Sequence, residues 1–155
     1  MALQRLGRLA VRTSNATNAE ACWELIPGST VAVIVYELGI SIAAATASAF
    51  GVGIPATIGQ TPTSPVALLN TDPYHIATKD AFTAAVAVAW GTKPVAPAAY
   101  FARCSMPATI GDTKVFQFPE GILIPKSSSL VVMNLAAAPG SVADIWVKAE
   151  EIRNA

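Results

Sequence analysis

The chain is 155 residues long, 53% hydrophobic and only 13% charged, and its ten basic and ten acidic side chains cancel. That length suits one domain, and a zero net charge excludes a chain-wide electrostatic footprint for nucleic acid. Two cysteines exclude a disulfide framework, and no run approaches the ~18 consecutive apolar residues that argue for a membrane span.

Typical domains are ~25% charged. A chain with half that proportion either coats itself with alanine or hides apolar surface in subunit contacts. The second is expected here, in the form of a homotrimer with an apolar interface. Cys22 and Cys104 belong to no C-x-x-C pair, so buried free thiols are expected, with a single bridge as the alternative.

Residues 1–19 differ from everything that follows. Arg5, Arg8 and Arg12 occur without one acidic side chain, and Leu3, Leu6 and Leu9 recur at a spacing that lines one side of a short helix. The arginines interrupt any secretory apolar region. The reading is an extended basic arm that orders on a neighbouring subunit or acidic surface, with the three arginines as candidate partner-binding residues; an Arg-rich transit peptide is the alternative. Asn15-Ala16-Thr17 is formally a glycosylation acceptor, with nothing else pointing to secretion. Residues 20–155 are expected to form an all-β domain.

Strand signals follow in order. Ala21–Leu25 carries Trp23, Pro27-Gly28-Ser29 turns the chain, and Thr30–Leu38 is the most β-prone run. Gly39 reads as an interruption. Ile40–Phe50 fits a helix by its alanines and a strand by its alternation, and is assigned as strand. Glycine and proline punctuate residues 51–70. Ala81–Trp90 resumes with Phe82, Val86, Val88 and Trp90 on one face and alanines on the other, Gly91–Pro97 is a loop, and Ala99–Met106 is a further strand. The pentapeptide PATIG occurs twice, at Pro55–Gly59 and Pro107–Gly111, and both copies read as the same strand-to-turn corner.

The C-terminal block is the most regular. Val115–Phe118 and Ile122–Ile124 are separated by Pro119-Glu120-Gly121, and Pro125 stops the second. Leu130-Val131-Val132-Met133 is unbroken, as in a strand covered on both sides. Beyond the Pro139-Gly140-Ser141 turn, Ala143, Ile145, Val147 and Ala149 alternate with Asp144, Trp146, Lys148 and Glu150. The whole predicts an antiparallel β-sandwich, jelly-roll-like, with an N-terminal arm. Trp146 shares its face with Asp144 and Lys148. A core or subunit-interface role is expected for it, with a ligand platform as the competing role.

No catalytic constellation emerges. His75 is the single histidine, in a Pro-rich loop near Ser64, Asp72 and Asp80, and there is no G-x-S-x-G elbow. Gly51-Val52-Gly53 lacks the third glycine of a dinucleotide fingerprint, and the acidic residues are scattered. No enzyme activity, metal or cofactor is expected.

Four segments carry a resemblance: ATNAEACWEL at Ala16–Leu25, FGVGIPATIGQTPTSPV at Phe50–Val66, AVAWGTKPVAP at Ala87–Pro97, and SMPATIGDTKVFQFPEGILIPKSSSLVVMNLA at Ser105–Ala136. Together they resemble small structural proteins of tailed bacteriophages that decorate or cement an icosahedral capsid. The resemblance implies a trimeric β-sandwich or jelly roll bound to the major capsid protein on the virion surface, made in the host cytoplasm, without nucleic-acid or membrane partners. It extends to other virion parts, namely tail-surface and head-tail proteins. A carbohydrate- or receptor-binding β-sandwich is the competing class, and its best aromatic candidate is Trp146.

Overall fold

The computed structural model describes residues 3–14, 20–71, 81–137 and 140–153. These residues form strands and turns, with no helix among them. Four long antiparallel pairings organise the chain. β1 (Leu3–Arg12) pairs with β13 (Ala143–Arg153), and β2 (Glu20–Ile26) with β12 (Leu130–Asn134). β3 (Val31–Ile42) pairs with β11 (Thr113–Ile124), and β4 (Ser48–Gly53) with β10 (Ala102–Met106). The first half of the chain is thus matched against the second in reverse, as one long hairpin. Successive strands of that hairpin alternate between two sheets: a front sheet ordered β11-β3-β13-β1 and a back sheet ordered β10-β4-β12-β2. This eight-strand arrangement is a jelly roll.

Residues 54–101, between β4 and β10, supply the remaining strands. β7 (Leu69–Asn70) extends the front sheet beside β1, while β8 (Ala85–Ala87) and β6 (Val66–Ala67) extend the back sheet beyond β2. β5 (Gln60–Pro62) and β9 (Trp90–Thr92) pair only with each other.

Period-two patterning builds the core. Val33, Val35, Leu38 and Ile40 of β3 and Ile145, Val147 and Ala149 of β13 point inward to meet Trp23, Leu25, Phe50, Val52, Leu130 and Val132 of the back sheet. Each large aliphatic buried this way contributes ~1.5–3 kcal/mol. The alternation expected along Ala143–Ala149 is present and continues to Glu151. β12 is buried along its whole length, as expected for a strand covered on both sides. Leu130 and Val132 face the sandwich interior, while Val131 and Met133 face outward beneath Trp90, Ala96 and Tyr100. The part of the insertion around Gly59 and residues 90–100 therefore covers the back sheet.

Several local expectations are corrected. Leu3–Arg12 is a strand flanked on both sides, by β13 and β7, and not a detached arm. Its period is two: Arg5, Gly7 and Leu9 are buried while Arg8, Ala10 and Arg12 are exposed. Gly39 does not interrupt β3, which runs through it to Ile42, and the expected Ile40–Phe50 strand is divided between β3 and β4 by a turn at residues 43–47. Pro119-Glu120-Gly121 does not end a strand; it bulges from β11, whose pairing with β3 shifts between Gln117 and Ile122 around Gly121 at φ 74°. Ala81–Trp90 contains only the short β8 and the start of β9.

The two PATIG copies follow the ends of paired strands, β4 and β10, yet their glycines serve different needs. Gly111 turns the chain at φ 87° in open space. A Cβ on Gly59 would lie 2.4 Å from Trp90 and 2.6 Å from Glu24, so close packing excludes a side chain there. Both cysteines are free. Cys22 donates to Val132 O at 3.3 Å, and burial pushes its thiol up to about 12.

Candidate functional site

Two buried carboxylates fasten the cover to the jelly roll. Glu24 of β2 is fully buried; it accepts hydrogen bonds from Gly59 N at 3.1 Å, Ser129 Oγ at 2.6 Å and Trp90 Nε1 at 2.7 Å. One carboxylate thus ties two limbs of the insertion to the back sheet. Glu151 of β13, also fully buried, does the same at the sandwich flank. It accepts from the backbone N–H groups of Thr83 and Ala84 at 2.7 and 2.8 Å, and from Arg5 Nη2 and Arg153 Nε at 2.9 Å each. Both arginines also donate to Ala81 O, and the Arg5 guanidinium lies 4.7 Å from the centre of the Phe82 ring. Burial alone would push the Glu151 carboxyl up; the bonds from Ala84, Arg153, Arg5 and Thr83 outweigh it and hold the group below the usual carboxylate range.

Arg5 is therefore a structural residue, 2% exposed, and is not available to a partner. The acids that satisfy it and Arg12 come from the far end of the chain, which counting charge within residues 1–19 does not detect. Arg12 makes a two-pronged bond to Asp144, Nε to Oδ1 and Nη2 to Oδ2 at 2.8 Å each. The pair is exposed, and Arg12 lowers the Asp144 carboxyl pKa while its own rises.

Arg8, Arg12 and Trp146 meet on the outer face of the front sheet, which no other part of the described chain covers as the insertion covers the back. Strand register arranges this face in rows. Arg12, Asp144, Ser41 and Thr113 form one row; Ala10, Trp146, Gly39 and Val115 the next; Arg8, Lys148, Glu37 and Gln117 the third. Leu69 of β7 lies at the end of the third row, beside Arg8.

Trp146 is held against the sheet by its neighbours. A Cβ on Gly39 would lie 2.0 Å from Cε2 and Cζ2 of the indole, so the ring occupies the space that any other residue would fill. Trp146 Nε1 donates to Glu37 Oε1 at 3.1 Å, and Gln117 Nε2 donates to Glu37 Oε2 at 3.2 Å. Tyr36 donates to Glu150 Oε2 at 2.8 Å, a bond that raises the phenol pKa. The half-buried indole also walls a shallow hollow of about 300 Å³ with Arg8, Leu69 and Thr71.

Three residues of this face escaped the sequence reading: Glu37, Gly39 and Gln117. The available signal was a glycine directly after the most β-prone run and before further alternating residues, since strand glycine marks close approach by another group. Among the described residues no three His, Cys, Asp or Glu side chains group as metal ligands. His75, Asp72 and Asp80 lie outside the described residues. The chain matches no protein-family model and no curated protein.

Proposed function

We propose that the protein is a structural component of a tailed-bacteriophage virion, a capsid decoration or cement protein that acts as a homotrimer on the shell surface. The observation that carries this reading is that, among the described residues, four of the seven exposed large apolar side chains lie on two edge strands or the turns beside them. The edge strands β10 and β11 approach each other along one flank of the jelly roll. On them and their flanking turns, Phe101, Ile110, Val115 and Leu123 are 53, 66, 47 and 58% exposed. Long edge strands carrying apolar side chains invite association unless another surface covers them. A chain only 13% charged has few other means of solvating that flank. The resemblance noted in four segments supports the phage setting, and the jelly roll is a recurrent fold of viral capsid proteins, although fold alone does not specify function.

With Leu3–Arg12 built into the front sheet, attachment does not depend on a free arm. Binding comes from preformed surfaces, and many weak contacts repeated across a lattice give strong overall attachment. Light scattering is expected to give the mass of three chains at micromolar concentration. Ile110→Glu and Leu123→Glu are each expected to shift that mass toward one chain while far-UV circular dichroism is unchanged. A wild-type monomer overturns the trimer. Co-sedimentation with capsids stripped of the protein tests the partner, and failure of the trimer to co-sediment overturns the capsid role.

A further inference from the structure

A ring of three identical chains cannot be built from one self-complementary patch. Each subunit must present one patch and, elsewhere on its surface, a different patch that receives it. The β10–β11 flank supplies the first, at one edge of the front sheet. Of the exposed large apolar side chains among the described residues, Val66, Leu69 and Val95 lie off that flank, and Leu69 is the most exposed of the three at 63%. Leu69 stands on β7, at the opposite edge of the front sheet from β11. It borders a hollow of about 300 Å³ whose other walls include Ala10, Thr71 and Trp146. Two small residues in one cross-strand row create this hollow. Gly39 lets the indole lie over β3, away from β1, and Ala10 fills little of the space left above β1. The indole N–H is already bonded to Glu37, so covering the ring strands no donor. Exposed Arg8 stands at the rim, where charged residues of an interface belong.

We propose that this hollow receives a second copy of the chain, so that the flank of one protomer seats its apolar side chains against Trp146, Leu69 and Ala10 of the next. The inference rests on the trimer reading and supplies the other half of its contact. Flank and hollow lie at opposite edges of one sheet, so a chain cannot fill its own hollow, and every protomer in the ring gives once and receives once. Ile110, 66% exposed in the turn beside β10, has the most surface to lose among the flank side chains. The back sheet offers no equivalent surface beside β12, because the protein's own Trp90, Ala96 and Tyr100 already pack there. The indole is fixed in orientation before assembly by Gly39 below it and Glu37 at its nitrogen, so little conformational entropy is lost on contact.

The experiment is light scattering and sedimentation velocity of the full chain, with variants of the hollow set against a variant elsewhere. Leu69→Glu and Ala10→Gln are each expected to raise the concentration of half-assembly at least about tenfold, with far-UV circular dichroism unchanged. Val95→Glu, at an exposed apolar position on the cover, is expected to keep the mass of three chains. A mixture of two variants tests the pairing itself. Leu69→Glu keeps an intact flank and Ile110→Glu an intact hollow. Their equimolar mixture at about 100 µM is expected to contain a species of two chains that neither variant forms alone. A wild-type monomer overturns this inference together with the trimer. A wild-type trimer that survives in both Leu69→Glu and Ala10→Gln overturns this inference and leaves the trimer standing. So does a mixture without the two-chain species, or a Val95→Glu variant that dissociates as far as the hollow variants do.

Discussion

The two outer faces of this jelly roll have opposite fates. The back sheet is roofed by the insertion around Gly59 and residues 90–100, and its central strand β12 is apolar on both sides. Among the described residues nothing roofs the front sheet, and its central strand β13 alternates between buried and half-exposed side chains. Both are central strands with two neighbours each, so position in the sheet does not explain the difference. What lies above each face does. An apolar outer face on β12 requires a cover, and the cover requires anchors that water cannot displace. Glu24 and Glu151 are those anchors, each a buried carboxylate that orders two donors of the inserted segment at once.

This contrast is most sharply broken by removing an anchor. Glu151→Ala leaves the Arg5 guanidinium buried without its acid and orphans the N–H groups of Thr83 and Ala84. Loss of one partner from a buried ion pair costs about 3–5 kcal/mol, and that loss is expected in chemical denaturation. Glu24→Ala strands Gly59 N–H, Ser129 Oγ–H and Trp90 Nε1–H, and is expected to cost about 2–3 kcal/mol. Its diagnostic sign is faster hydrogen exchange at residues 85–96 while β3 and β13 stay protected. Uniform loss of protection across both sheets would mean that the cover is not a separate layer in energetic terms.

Acid should act on one of these anchors, Glu151. The Glu151 pKa is depressed in the folded protein, so the group's contribution is present above the ordinary carboxylate value of about 4.3 and is lost as pH falls through the folded value. Stability is expected to fall below about pH 4, with exchange at residues 81–87 rising first, and Glu151→Gln is expected to flatten that acid limb.

On the open face the expected effect is smaller. Gly39→Ala places a methyl group where the Trp146 ring lies, so the indole must leave the sheet. A cost of about 1–3 kcal/mol is expected from this overpacking, with a change in tryptophan fluorescence that a Trp146→Phe background abolishes. An unchanged emission spectrum would show that the indole is not pinned by the glycine.

Much of this architecture was legible in the residues. The alternation from Ala143 to Glu150 and the solid run Leu130–Met133 announced one strand with a wet face and one without, because side-chain direction alternates along any strand whatever surrounds it. The placement of Trp146 with Asp144 and Lys148 followed from the same rule. The proline–glycine punctuation of residues 51–70 marked the insertion, though not the surface it covers.

What local pattern could not convey was partnership. Arg5, Arg8 and Arg12 form one basic cluster in sequence, but strand alternation sends Arg5 inward to Glu151 and the other two outward, where Arg12 meets Asp144 and Arg8 lies between Lys148 and Leu69. Gly39 read as a break because the residue that justifies it, Trp146, lies on another strand. The sequence by itself determined that the chain is all-β, which strands are covered on one face or two, and which side chains share a face, since these depend on the local geometry of extended backbone. Only the tertiary structure decided that residues 3–12 are a strand, that two carboxylates hold the cover, and that two cations stand side by side. Those outcomes depend on contacts between residues as many as 146 positions apart, set by the register of the long hairpin and by burial, neither of which is encoded in any short stretch.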